Sequence, residues 1–248
     1  MILDAQVLLG PAVAALYLKD CVVLLERDEA LMVRGWRGRW RAGFGLRHWR
    51  LAGREPYLCN PFTPYEAVLR LRWDAGRPSA TPGATSAAVP REVAAFAPWA
   101  VAIWLALFAF LPAAFYGHLG LPVLLAGLAA LYALIAASLF LAWRRRAALG
   151  LSGRAFGVLA FELVACPPYA ANLVRRLSLP RRVDEDFTHA CARLLEGEAL
   201  AEARQGCRAR VEEELEAIDE DSARAAALRQ TRDRLARELE TEGAHGGE

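Results

Sequence analysis

Lysine is almost missing from this sequence. Lys19 is the only one among the 30 basic residues, and all the others are arginine. Alanine is abundant as well, and both biases follow from GC-rich codons, so arginine number alone carries no functional signal. Arginine still matters physically, because it pairs bidentately with carboxylates and stacks on aromatic rings. Catalytic signatures are lacking too. There is no Walker A loop, no GxGxxG after a strand, no HExxH and no GxSxG. No cofactor is expected. Cysteine is sparse and scattered over positions 21, 59, 166, 191 and 207, an odd number with no CxxC pair. That excludes a disulfide framework and fits a reducing compartment. The start, Met1-Ile2-Leu3-Asp4, lacks the basic n-region of a secretory signal. The apolar run that follows, closed by Lys19-Asp20, reads as folded structure.

The histidines are His48, His118, His189 and His245. His189 and Cys191 are close, and Cys207 follows, but a metal site needs three or four ligands. Residues i and i+2 on a helix also point to different faces, which counts against a Cys–His nucleophilic pair. No catalytic or metal-ligating residue is therefore expected.

Apolar residues, by contrast, are in excess. They make up 55% of the chain, against about 45–50% in soluble domains. Much of the excess lies in two runs free of acids and bases, Val93 to Tyr116 and Leu119 to Trp143. Each exceeds the roughly 20 residues needed to cross about 30 Å of hydrocarbon. The short link around Gly117-His118-Leu119-Gly120 forces them into an antiparallel hairpin. Arg91 precedes the first run and Arg144-Arg145-Arg146 follows the second, whereas the link has no Lys or Arg. The positive-inside rule therefore places both ends of the hairpin in the cytoplasm. Trp99, Tyr116 and Trp143 lie near the run ends, where amphipathic rings prefer the interface. Small residues recur four apart, as at Ala129, Ala133 and Ala137. Such spacing permits close packing within the hairpin, or a homo-oligomer.

Before the hairpin, short β-prone runs predict a small β-rich domain. Cys21 to Leu25 and Ala30 to Val33 flank the polar stretch Glu26–Glu29, which suggests a hairpin. Asn60-Pro61-Phe62-Thr63-Pro64 must be a turn. Ala67 to Trp73 alternates, with Leu69, Leu71 and Trp73 on one face and Arg70 and Arg72 on the other. Residues 75–92 are small, polar or proline and read as a flexible linker. The domain also interleaves Arg34, Arg37, Arg39, Arg41, Arg47, Arg50 and Arg54 with Trp36, Trp40 and Trp49. Cross-strand Arg–Trp packing or lipid head groups account for that better than nucleic acid, given the membrane runs.

A third apolar stretch, Ala155 to Val174, contains Glu162 and the break Cys166-Pro167-Pro168. Its unbroken part is too short to cross, so it predicts an interfacial, re-entrant or domain-core helix. The prolines should end one helix and start another. Tyr169 to Leu179 then predicts a basic amphipathic helix. Glu162 and Cys166 share a helical face, and with Tyr169 and Asn172 they form the candidate functional patch, since an acid in an apolar stretch is functional or paired with a nearby arginine. Segment 144–182 carries Arg144, Arg145, Arg146, Arg154, Arg175, Arg176, Arg181 and Arg182 against Glu162 alone. Anionic head groups would attract it, with Arg144, Arg145, Arg146, Arg175 and Arg176 as the expected contacts.

Residues 183–242 are rich in Ala, Leu, Glu and Arg and predict two or three acidic amphipathic helices, with a break near Asp219-Glu220-Asp221-Ser222. The tail 243–248 is expected to be disordered. The fold class expected is thus an α+β membrane protein. Residues 1–74 form a β-rich cytoplasmic domain, 75–92 a linker, 93–143 a transmembrane hairpin, 144–182 a basic juxtamembrane segment and 183–242 a helical region. The function expected is a non-enzymatic scaffold or regulator in a bacterial inner membrane. Both termini would be cytoplasmic, and anionic lipid and a protein partner would bind through the β domain or the C-terminal helices. The alternative is a membrane-bound enzyme acting at the cytoplasmic surface on a lipid-linked or amphipathic substrate.

Overall fold

The fold is taken from a computed structural model, which describes residues 5–35, 38–46, 49–72, 85–117, 119–217, 225–226 and 228–233. It is mixed α+β, with small sheets and two long apolar helical segments. The chain divides into two compact units, each assembled from separated stretches. One comprises Met1–Val23, Pro56–Val68 and Ala87–Arg181; the other comprises Leu24–Glu55, Leu69–Ser86 and Arg182–Glu248.

The first unit is helical. It opens with α1 (Ala5–Asp20), so residues expected at the edge of a β-rich domain form a helix instead. The run contains only scattered β-branched residues, and Leu8, Leu9, Leu16 and Leu18 stand exposed on it. Thr85–Ala94 forms α2, so the later part of the expected linker is helical; residues 75–84 lie outside the described residues. The first apolar run begins as α3 (Ala97–Leu105), widens into a π-helical turn (Ala106–Phe110) and ends as α4 (Leu111–Tyr116). Proline at the start of α3 suits a first turn, which has no use for its missing N–H. Gly117 ends α4, and a Cβ there would lie 2.3 Å from the Ala113 carbonyl oxygen. Gly120, at φ 90°, then reverses the chain into α5 (Leu121–Arg144). The two apolar segments contain 20 and 24 residues.

Next come α6 (Gly153–Ala165), α7 (Pro167–Ala171) and α8 (Leu173–Ser178). Ser152 caps α6 by accepting from the Ala155 N–H at 3.1 Å. Pro167 opens α7 directly after the chain breaks at Cys166. The single basic helix expected over Tyr169–Leu179 is thus two short helices meeting at Asn172. The inner side of the unit holds Phe96, Ala100 and Ile103 of the first run, Leu131 and Ile135 of α5, and Leu163 and Leu173.

The second unit is built on a four-stranded sheet, in the order β3 (Trp40–Gly43), β2 (Glu29–Arg34), β5 (Ala67–Arg72), β6 (Arg182–Asp186). β2 and β3 pair antiparallel, with Arg34 opposite Trp40. The Arg34 guanidinium lies 5.9 Å from the Trp40 ring centre, a cross-strand Arg–Trp contact. β5 alternates as its sequence dictates: Leu69 and Leu71 are buried while Arg72 is exposed. The strand β1 (Val22–Leu25) does not form a hairpin with β2. The turn between them exists, but β1 pairs with β4 (Glu55–Leu58). β6 is a second departure, because these residues were expected to begin the helical region. They pair parallel with β5 instead, which joins the C-terminal part of the chain to the sheet. α9 (Phe187–Leu194) and α10 (Glu198–Ala217) follow. Phe187 packs edge-on against Phe44 at 5.4 Å, and Gly206 of α10 lets that ring approach closely, since a Cβ there would lie 2.4 Å from Phe44 Cε2. Arg210 forms a buried ion pair with Glu55 and donates to the Gly45 carbonyl at 3.1 Å. Trp36, Arg37, Arg47, His48, Trp73, His118, the expected break at 219–222 and the tail lie outside the described residues.

Candidate functional site

Five of the residues singled out above belong to one polar knot in the first unit, at the junction of α1, α6, α7 and α8. Its centre is Arg176. The Arg176 Nε and Nη2 donate to Oδ2 and Oδ1 of Asp20, at 3.1 and 2.5 Å. Its Nη1 forms an ion pair with Glu162, and the guanidinium lies 4.3 Å from the centre of the Tyr169 ring. Fork-to-carboxylate geometry of this kind is the strongest arrangement open to arginine. Glu162 reaches the knot from the third turn of α6, and it is the partner of an arginine 14 residues later.

Asn172 sits beside this pair and is fully buried. Its Nδ2 donates to Asp20 Oδ2 at 3.1 Å, and its Oδ1 accepts from Arg175 Nη1 at 2.8 Å. Arg175 departs from expectation. It was placed among the lipid head-group contacts, but it is 1% exposed and turned inward. Its Nη2 donates to the carbonyls of Asn60 (2.5 Å) and Thr63 (2.9 Å), and its Nη1 also reaches Cys21 Sγ at 3.2 Å. Within the turn at 60–64 the Asn60 carbonyl already accepts from the Thr63 N–H at 3.3 Å and the Thr63 carbonyl from the Glu66 N–H at 3.2 Å, so the guanidinium adds a second, charge-assisted bond to each. Arg175 thereby ties α8 to a turn 115 and 112 residues earlier in the chain. Arg144, Arg145 and Arg146 do remain exposed at the end of α5, with Arg146 stacked 4.2 Å from the centre of Trp143. Cys166 is half-buried at the break between α6 and α7, and the other cysteines are buried.

The knot has a defined height along the apolar hairpin. Tyr17 stands one turn before Asp20 on α1, and its ring lies 4.8 Å from that of Phe108. On the other side, α6 runs antiparallel beside the second half of α5. Phe156 packs 5.1 Å from Trp143, and the Tyr132 hydroxyl donates to the Val164 carbonyl at 3.5 Å. Glu162 therefore lies level with the middle of α5. The knot is about 18 Å from the hairpin turn, counting twelve residues at 1.5 Å each. At the base of the hairpin, Arg181 pairs with Glu92 at 2.5 Å and donates to the Ala148 carbonyl at 3.0 Å. The segment 153–181 thus rises from the base to mid-height and returns.

In the knot both carboxylates are paired and both guanidinium groups are bonded, although Arg175 Nε is buried without a hydrogen-bond partner. The residue nearest to a free nucleophile, Cys166, belongs to none of these bonds. Among the described residues no three His, Cys, Asp or Glu side chains are grouped to hold a metal ion. Sequence reading missed Asp20, Cys21 and the carbonyls of Asn60 and Thr63. An acid ending an apolar helix requires a base, but nothing local says which arginine among many answers it. Cys191, in the second unit, sits against Met32 with 3.9 Å between sulfurs, and burial pushes its thiol pKa up. Comparison with protein-family models, with curated proteins and with solved structures found no match for this chain.

Proposed function

We propose that this protein is an inner-membrane scaffold. Its first unit is held in the bilayer by the hairpin, and its second unit is offered to protein partners in the cytoplasm. The observation that carries this reading is the apolar surface of the first unit. The apolar windows of its two long segments are only 22% and 28% buried, whereas the core helix of a soluble fold would be mostly covered. Leu105, Phe110, Leu121, Leu125 and Phe140 are all exposed on them, and α6 adds Val158, Phe161 and Val164. An exposed apolar area on several elements of one unit marks an interaction surface. Two such segments side by side, about 30 and 36 Å long, suffice to cross the hydrocarbon thickness.

In this reading Arg144, Arg145 and Arg146 meet anionic head groups at the cytoplasmic base, each attracted by about 1 kcal/mol. α6, α7 and α8 form a re-entrant element, entering from the base and turning back at Pro167. Broken helices at membrane depth are tolerated where they are buried in protein, and α7 buries Pro168, Ala170 and Ala171. The second unit offers the polar outer face of α10, with Glu202, Arg208, Glu213 and Glu216 at its surface, for a protein partner. The pairing of Glu162 with Arg176 supports a scaffold over a membrane-bound enzyme, because it occupies the acid such an enzyme would use.

The test is alkaline extraction of membranes from cells making the full chain. The protein should stay in the pellet at high pH and leave it only with detergent. Release into the alkaline supernatant would overturn the reading.

A further inference from the structure

α1 is a third apolar element, and its direction is fixed by two contacts. Gly10 faces Tyr116, close enough that a Cβ on it would lie 3.0 Å from the Tyr116 hydroxyl oxygen. Tyr17 faces Phe108 at 4.8 Å between ring centres. Seven residues of α1 thus match eight of the first apolar segment in reverse, about 10.5 Å against 12 Å at 1.5 Å per residue. The two run antiparallel. The C-terminal end of α1 delivers Asp20 to the polar knot at mid-height. Its N-terminal end points the other way, and Ala5, about 7.5 Å beyond Gly10, lies past the level of the hairpin turn. The outward face of the helix carries Leu8, Leu9, Leu16 and Leu18, each at least 40% exposed. Charge agrees with this direction. No Lys or Arg precedes Lys19 on this stretch, just as none lies in the hairpin turn, and Lys19 stands at the lower end beside Asp20.

We infer that α1 enters the bilayer from the extracytoplasmic side, with its leucine face against acyl chains and its N-terminal end at that surface. This replaces the expectation of a cytoplasmic N-terminus, and it rests on the proposal that the hairpin crosses the membrane. The element enters from the outside, descends about 24 Å as a 16-residue helix, and stops where Asp20 meets Arg176. Intramembrane charges are tolerated when they pair with one another. The knot is therefore where an element inserted from outside meets the re-entrant segment inserted from the cytoplasm.

Three variants, each with one introduced cysteine in a Cys166→Ser background, test this, the other native thiols being buried. Spheroplasts are treated with a membrane-impermeant maleimide before and after lysis. Leu119→Cys in the turn and Gln6→Cys at the start of α1 should label in intact spheroplasts, and Ala147→Cys only after lysis. In parallel, an epitope placed ahead of Met1 should be lost to protease added outside intact spheroplasts. If Leu119→Cys labels from outside while the epitope is cut only after lysis, the inference about α1 fails and the hairpin stands. If Leu119→Cys is itself protected until lysis, the hairpin reading fails and takes this inference with it.

Discussion

Replacing Arg176 by methionine keeps the aliphatic stem and removes the fork. The structure sets the consequence. Asp20, whose side chain is 13% exposed, loses both bonds from Arg176 and keeps only the Asn172 amide. Glu162, at 42% exposure, loses its Arg176 partner as well. The dominant cost is a carboxylate left in a mostly dry site, about 3–5 kcal/mol when a buried pair loses one partner. For a chain of this size that lowers Tm by roughly 6–20 °C, at about 2–4 °C per kcal/mol. The assay is thermal unfolding of the purified protein in detergent. The double variant Asp20→Asn/Arg176→Met, which removes the stranded charge, should recover part of the loss, with a coupling on the order of 2 kcal/mol. An Arg176→Met protein melting within about 2 °C of the parent would refute the claim that this pair holds α1 to α6 and α8.

Arg175→Lys should also destabilise, by about 1.5–3 kcal/mol for each guanidinium hydrogen bond that is lost. It should open the 60–64 turn to limited proteolysis, because one ammonium cannot reach Asn60, Thr63 and Asn172 together. Gly45→Ala should cost the second unit about 1–3 kcal/mol, read by chemical denaturation, since the new Cβ would stand 2.5 Å from Glu55 Cβ and press on the Glu55–Arg210 pair. Cys166 should be the one thiol alkylated quickly in the native protein, as read by mass spectrometry. Burial raises the Cys191 pKa above its ordinary 9.0. The unfolded chain therefore loses this proton first as pH rises, so stability should hold below about pH 9 and fall above it. Cys191→Ala should flatten that slope.

How much of this was legible follows from the range of each signal. The two apolar runs could be read directly, because length without charge needs no partner to interpret. The alternation of Leu69, Arg70, Leu71 and Arg72 placed a strand for the same reason: a half-buried sheet imposes period two locally. The mixed α+β class followed from these. The break at Pro167 was visible because proline acts on its own backbone. What stayed hidden is long-range. The pairing of β1 with β4, rather than with its neighbour β2, depends on which edge is free after the chain has travelled on to Leu58. The composition around residues 183–186 predicts helix, yet β5 offers an edge that recruits them together with Arg182. Arg175 and Arg176 looked alike in sequence, and only the carbonyls of a turn 112–115 residues away draw the first inward. The helical state of α1 was lost in the same way, since an all-round apolar stretch shows no periodicity to separate helix from strand.

The most direct measurement of membrane immersion uses nitroxide labels at Leu125, Phe140 and Phe161 in the full chain, reconstituted in bilayers. All three are exposed on the first unit. Collision with oxygen should exceed collision with a water-soluble nickel chelate at every one of them. A chelate collision rate equal to that of a label on the outer face of α10 would mean that these side chains face water, and it would contradict the account at its base.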